Sequence, residues 1–412
     1  MAADEVGKRG GGDQRRAARL WWTIHHWVGL KLSILMAFIL FTGTLAVFAQ
    51  EIDWLIQPEM RVDPSSLTTR TDWGAMAVSA VDYPRTQRVL LIDKPVASAF
   101  AARAIVEWED GGLGYLYLHP VTGVVQGEGD WVGAQRVLRN MHRHLNLPPT
   151  WGVPIVASLA VLLLISVISS LIVYKKWWRG FLKSPRSRSA RTWWGDFHRL
   201  AGVWSLWFVT LIAVTSLWYL VESLGGEASS LPQGKFVEVT FDIDDSGPML
   251  ADSIAAARDA EPALIVERVI FPSDDDGSFV IEGQKSAWLV RPRANAVWVA
   301  AESGKVMLAT DGTDLTVHQR IAEMADPLHF GTFGGYWTKV PWFLFGLLST
   351  AMAVSGAAVY SLRIARDAQP HIGWVDAGAR AWAGMGLWRW LAIGLVIAAL
   401  ILWPEFLVPS AD

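Results

Sequence analysis

Not one of the 412 residues is a cysteine. That excludes disulfides, iron–sulfur clusters, thiolate zinc sites and the C-x-x-C-H motif that fixes haem covalently. Charge is scarce as well: 18% of residues are charged and the net charge is only -3, so there is no basic field of the kind that binds nucleic acid. No G-x-G-x-x-G follows a strand-like run, so no dinucleotide domain is built in. Neither H-E-x-x-H nor a nucleophile elbow occurs, which leaves protease and acyl-hydrolase chemistry without residues to carry it. What is abundant is apolar: 52% hydrophobic residues, 24 tryptophans and a mean hydropathy of +0.28. This balance fits a membrane protein with sizeable water-facing parts.

Five runs have roughly the 20 apolar residues needed to cross the hydrocarbon core: residues 27–49, 152–174, 200–221, 339–361 and 386–408. Arg15, Arg16 and Arg19 precede the first. Seven Lys and Arg residues between Lys175 and Arg191 separate the second and third, and Arg363, Arg366 and Arg380 lie between the fourth and fifth. Excess Lys and Arg marks the cytoplasmic side, so the N-terminus is expected inside and the two long polar stretches outside. Trp21-Trp22, Trp177-Trp178 and Trp193-Trp194 stand beside basic residues at run ends, where aromatic belts form. The expected order is a disordered cytoplasmic N-terminus (1–19), a first helix (20–49), a first outer domain (50–140), a second helix (141–174), a basic cytoplasmic loop (175–193), a third helix (194–221), a second outer domain (222–328), a fourth helix (329–361), a cytoplasmic linker (362–385) and a fifth helix (386–408). Val47-Phe48-Ala49 could pass for a signal-peptide cleavage site, but the apolar run before it is longer than the usual h-region. The matching third run is internal, so the first is read as a retained helix.

The chain repeats itself. His25-His26-Trp27-Val28-Gly29 and His198-Arg199-Leu200-Ala201-Gly202 share an H-x-x-x-G frame, while His142 and His329 each precede a run ending in tyrosine, Tyr174 and Tyr360. In the polar stretches, Leu118–Val125 resembles Val299–Val306, each a strand, a glycine turn and a second strand. Helix candidates at 73–82 and 250–260 precede them. Two small α+β outer domains are therefore expected. An ionisable residue at a membrane helix is costly and reads by default as functional. Imidazole pairs on facing helices are also how bundles hold haem.

Other residues take plainer readings. His119, His318 and His371 read as surface histidines. Asp242-Ile243-Asp244-Asp245 and Asp274-Asp275-Asp276-Gly277 lack the spacing and terminal glutamate of a calcium loop, and read as acidic turns.

Several short motifs in a specific order resemble the PepSY-associated transmembrane family. They are Trp22, His25, Trp27, Gly29 and Leu30; Thr42-Gly43; Glu51-Ile52-Asp53 with Pro58; Pro292-Arg293-Ala294-Asn295; Ser303-Gly304; and Pro327-Leu328-His329-Phe330-Gly331. Together they cover most of residues 20–365. Two positions depart from the family pattern: Thr215-Ser216 stands where Thr-Gly is more usual, and Ser170 replaces the glycine that Gly356 supplies in the second repeat. The resemblance implies a bacterial inner-membrane protein with PepSY-like periplasmic domains, among relatives that include ferrisiderophore reductases carrying b-type haem.

Pairing follows from topology. His25 and His198 fall at cytoplasmic ends and His142 and His329 at outer ends, with roughly 30 Å of hydrocarbon between the two histidines of each half. Each ligand pair must then join the halves: His25 with His198, and His142 with His329. His26 is the alternate for His25, and His144 for His142. Two b-type haems stacked along the membrane normal are expected to carry electrons outward, and the resemblance implies a ferric siderophore or other ferric chelate as their acceptor outside. A cytoplasmic reductase, reduced flavin or quinol would supply them. The rival readings are a non-catalytic PepSY protein that binds a peptidase or other partner, and a siderophore or metal transporter.

Overall fold

The computed structural model describes residues 2–66, 71–232, 246–364 and 374–402. His371, Asp242–Asp245 and the end of the fifth expected run lie outside the described residues. Two compact units result: one holds the chain up to Phe48, Val137–Glu227 and the part from His329, and the other holds Ala49–Arg136 and Ala228–Leu328.

The first unit is a helical bundle. Helix α1 (Ala2–Lys31) and helix α2 (Ser33–Ala46) form one apolar path bent by 66° at Leu32. Composition gives residues 2–14 no reason to be helical, yet α1 starts at Ala2. In the second unit come α3 (Ala49–Ile56) and α4 (Trp73–Val81). Next, α5 (Ala134–His144) leads back to the bundle and α6 (Pro149–Val173) follows. Ser189 caps α7 (Ala190–Val221), its hydroxyl accepting from the Thr192 amide at 3.2 Å. After α8 (Ser246–Ala260) and α9 (Val317–Phe330) in the sheet unit, α10 (Tyr336–Ile364) re-enters the bundle.

Among the described residues three helices are long and apolar enough to cross a membrane: Pro149–Val173, Ala190–Gly226 and Tyr336–Arg363. The α1–α2 pair makes a fourth if counted as one span. A fifth would be α11 (Trp374–Met385) with α12 (Trp388–Ile401), but these two meet at 102°. The fifth expected run, 386–408, begins at this corner, where Gly386 adopts φ +63°, a left-handed conformation that ends helices; α11 occupies residues where a linker (362–385) is expected. The 14 residues of α12 reach only about 21 Å.

In the bundle, α1 packs on α6, α6 on α7, α7 on α10, and α10 on α2. The seams are built of small residues, among them Ser33, Thr42, Ala157, Ala160, Ala213 and Ser349, all buried. Lipid gives apolar helices no reason to prefer each other, so close approach over small side chains supplies the packing.

The second unit holds one antiparallel sheet. Its strands are β1 (Thr86–Asp93), β2 (Ala102–Trp108), β3 (Leu113–Leu118), β4 (Val125–Asp130), β5 (Ile265–Ile270), β6 (Ser278–Gln284), β7 (Ala296–Ala300) and β8 (Val306–Ala309). The order is β4-β3-β2-β1-β5-β6-β7-β8. Among the described residues each half is a helix followed by a four-stranded meander, where the sequence repeat predicts a helix and one strand–turn–strand unit, and the halves are not separate. Strands β1 and β5 pair antiparallel, with Leu91 opposite Ile270 and Asp93 opposite Arg268. The fusion has two causes: an edge strand left alone exposes unpaired backbone groups, and α4 packs against α8 over one shared core that includes Met76, Leu250, Ile92 and Val269.

The turns noted in the sequence match atom for atom. Gly123 and Gly304 both have positive φ, and their amides donate to His119 and Ala300 carbonyls at 2.9 Å. His119 is not a bystander at the surface: its Nδ1 accepts from the Val121 and Thr122 amides. Asp274 and Asp275 form the tip of the β5–β6 hairpin, between the bonded Ser273 and Asp276.

Charge pairs tie the joined halves. Asp93 accepts from Arg103 of its own half and Arg268 of the other, at 3.0 and 2.6 Å. Burial would raise the Asp93 carboxyl, but the two guanidiniums outweigh it and hold it below its ordinary value. Hydrogen bonding to Lys285, with the Thr313 amide and hydroxyl, holds Asp311 down at about 2. Both carboxylates are more acidic folded than unfolded, where aspartate titrates near 3.9. Their contribution is therefore complete above about pH 4 and is lost as pH falls toward 2. Asp93→Asn should cost about 3 kcal/mol by leaving Arg103 buried and unpaired. Hydrogen exchange at Leu91–Asp93 and Arg268–Ile270 should then quicken at neutral pH, whereas unchanged protection would show that the ion triad does not hold the seam.

Candidate functional site

All four candidate histidines lie in the helical unit, and they meet in two pairs. The ring centres of His25 and His198 are 6.4 Å apart, and those of His142 and His329 are 6.1 Å apart. Each pair joins one histidine from each half of the chain. The separation along α7 can be read from its own residues. His198 lies near its start and Thr215, which bonds His329, lies 17 residues further on, about 25 Å along the axis.

The alternates are placed elsewhere. The His26 ring stacks on Trp22, ring centres 5.1 Å apart, and meets Tyr360 at a tilt, 4.7 Å away. His144 is 2% exposed rather than solvated at an interface, since it is folded in at the turn after α5, where Gly152 packs on its backbone. His318 lies in the first turn of α9, in the other unit.

Hydrogen bonds fix the protonation of each paired ring. His25 Nδ1 lies 3.2 Å from the Ser166 carbonyl and 3.0 Å from Ser169 Oγ. His198 Nδ1 lies 3.1 Å from the Met352 carbonyl and 3.0 Å from Ser355 Oγ. Ser169 and Ser355 spend their own protons on the Ser166 and Met352 carbonyls, so their oxygens can only accept from the imidazoles. His142 Nδ1 donates to the Ile39 carbonyl at 2.8 Å. Thr215 Oγ1 donates to the Leu211 and Ile212 carbonyls and therefore accepts from His329 Nδ1 at 2.9 Å. Every Nδ1 must carry a proton, and in a neutral imidazole the lone pair is then on Nε2.

A histidine that binds a metal through one ring nitrogen holds the other in the same way, donating to an oxygen. Two metal–nitrogen bonds of about 2 Å each, plus the two rings' own radii, set ring centres about 6 Å apart. Each histidine is oriented by its own half of the chain and faces a histidine of the other half.

Gly43 makes room for this. A Cβ at residue 43 would lie 2.6 Å from His142 Nδ1, closer than any side chain tolerates. At the other pair, Gly356 faces His198, where a Cβ would lie 3.3 Å from the ring. A cavity of about 350 Å³ opens beside His25 and His198, walled by Met36, Leu162, Val209 and Met352, within the size range of cofactor pockets.

Both histidine-bearing connections are anchored. Buried Asp53 accepts from the Ala134 and Gln135 amides at 2.6 and 2.9 Å, capping α5, which carries His142. Arg291 and Arg293 both bond Glu323 of α9, which carries His329 six residues on. The Glu-Ile-Asp and Pro-Arg-Ala-Asn motifs thus act on the histidine helices. Asn295, the last residue of the second motif, bonds the Gly283 carbonyl and the Gly312 amide.

The bonding partners Ser169, Ser355 and Thr215 were not singled out as functional in the sequence, although a signal was there. Ser169 and Ser355 each precede the run-ending tyrosine by five residues, and Thr42 and Thr215 each follow the H-x-x-x-G histidine by 17.

No curated protein matches the chain. The sequence does match the family described as PepSY-associated TM region, over residues 22–363. That stretch holds all four paired histidines, the sheet and the helices that carry them, and the chain is accordingly a helical membrane protein belonging to the PepSY-associated TM region family.

Proposed function

We propose that this chain is a haem-b protein of the bacterial inner membrane that passes electrons outward, through two bis-histidine haems, to a periplasmic ferric chelate such as a ferrisiderophore. The observation that carries the reading is the pair of facing imidazole couples, each with Nδ1 committed to an oxygen. Two protein ligands suit an iron whose other four positions are filled by a macrocycle. Among the described residues no group of three or more His, Asp or Glu side chains could hold a bare metal ion instead, and the apolar cavity beside His25 and His198 suits a porphyrin face.

When bound, haem would supply reversible one-electron chemistry. The chain's own residues do the rest. His25 and His198 hold the inner iron, and His142 and His329 the outer one. The Ser166, Met352 and Ile39 carbonyls and the Thr215 hydroxyl keep the four rings in the ligating tautomer and raise their basicity. The leucine, valine and tryptophan walls exclude water. The substrate class rests on the family, and the outward direction on the Lys and Arg of the loops. Electron delivery alone frees the metal, since hard oxygen chelators hold Fe(II) far more weakly than Fe(III). No acid–base residue is required at the chelate.

Protein purified after expression with ample haem supply should contain two b-type haems per chain by pyridine haemochrome assay, with low-spin six-coordinate spectra. A haem-free preparation would defeat the reading and favour a non-catalytic membrane protein.

A further inference from the structure

A second cavity in the helical unit, of about 750 Å³, has a different character. Among the described residues its walls include Arg186, Arg191 and Arg363, with Asp196 as the one carboxylate. Asp196 is already engaged by Arg186 at 2.7 Å and Arg199 at 3.0 Å. The charge facing the cavity is therefore positive. Arg191 and Thr192 are in the first turn of α7, where the helix dipole adds to the pull on an anion. The opposite wall is aromatic: Trp22, His26 and Tyr360, with Arg363 lying over Trp22 at 4.3 Å. Trp22, His26, Val359, Tyr360 and Arg363 also line the apolar cavity beside His25 and His198. The two cavities thus share one wall.

We propose that this polar cavity binds the electron donor, and that the donor is a flavin mononucleotide in its reduced form, with its ring against the Trp22–His26–Tyr360 wall and its phosphate on Arg191 and Arg363. The proposal rests on the electron-carrying reading above. Guanidinium pairs recognise phosphate by paired charge-assisted hydrogen bonds, and aromatic side chains stack on planar rings. A quinol carries no phosphate and has no use for the arginines. The dihydroflavin loses two electrons and two protons and leaves as oxidised flavin. Its electrons would leave one at a time toward the His25–His198 site, where a bound haem would take up each in turn and pass it on. Its protons go to water at the open mouth. His26 is then a wall of the donor site rather than an iron ligand.

The test is binding, not turnover. Haem content is measured first. Purified protein in detergent is then titrated with oxidised flavin mononucleotide and, separately, with riboflavin, following loss of flavin fluorescence. Saturable quenching by the nucleotide is expected, with riboflavin at least tenfold weaker because it lacks the phosphate. Arg191→Gln should weaken the nucleotide about tenfold and leave riboflavin and haem content unchanged. Equal affinities for the two flavins, or no saturable quenching, would overturn the proposal. Two haems without nucleotide binding would defeat the donor site alone. Nucleotide binding without any haem would defeat the electron-carrying function and leave an anion-binding flavin site standing.

Discussion

Changing His198 to alanine should leave the purified protein with one haem instead of two, and changing His329 to alanine should do the same to the other site. Each pair has one histidine from each half, so either loss strips an iron of an axial nitrogen that no neighbour can replace. Among the residues around His198 are Met352, whose carbonyl takes its Nδ1–H, and Ser355. Neither offers a second imidazole. His26 is engaged elsewhere, its ring stacked on Trp22 and tilted against Tyr360; if His25→Ala is silent while His26→Ala loses haem, the neighbour is the ligand. Oxidised and reduced spectra of the His198 and His329 variants should sum to that of the parent. Thr215→Val is a finer probe. It removes the acceptor of His329 Nδ1 and keeps the shape, so haem affinity at that site should fall about 10–100-fold. Gly43→Val should act from the other side by driving a side chain into the His142 ring. Unchanged haem content in both alanine variants would show that the facing imidazoles are not ligands.

The reach of the sequence reading has a physical explanation. The pairing of His25 with His198 and His142 with His329 was legible because the thickness of the bilayer and the repeat both point to it, with His26 and His144 as alternates. The turns at Gly123 and Gly304 were legible because a positive φ requires particular residues at a fixed place. What holds the histidines was harder to see. Ser166 and Met352 act through backbone carbonyls, which no side-chain identity reveals, and Ser169 and Thr215 look like ordinary small residues of a helix seam. The fusion of two α+β units into one sheet was hidden for a similar reason. Pairing of β1 with β5 depends on backbone edges, and nothing in Leu91-Ile92-Asp93 alone names its partner strand. Helix α11 falls in the expected linker because its 12 residues are too few for a hydropathy window set to the roughly 20 of a membrane span.

The largest functional effect should come from the two sites acting in series. His198 and Thr215 lie about 25 Å apart along α7, so protein lacking either histidine pair leaves most of the roughly 30 Å core unbridged. In proteoliposomes with reductant on the basic-loop side and a ferric hydroxamate with a ferrous trap on the other, the parent protein should develop the trapped Fe(II) signal. His198→Ala and His329→Ala should each abolish it, although each keeps one haem. The two variants should then part company when the reductant is moved. Supplied on the trap side, it should restore reduction in His198→Ala, whose outer pair is whole, and not in His329→Ala. A structural role for the histidines would move both variants together, because misfolding does not depend on which side the electrons come from. If dithionite-reduced protein is indifferent to several ferric chelates but is oxidised quickly by a quinone, the outward ferric reductase reading gives way to a quinone-linked one, with the same four histidines holding the same two irons.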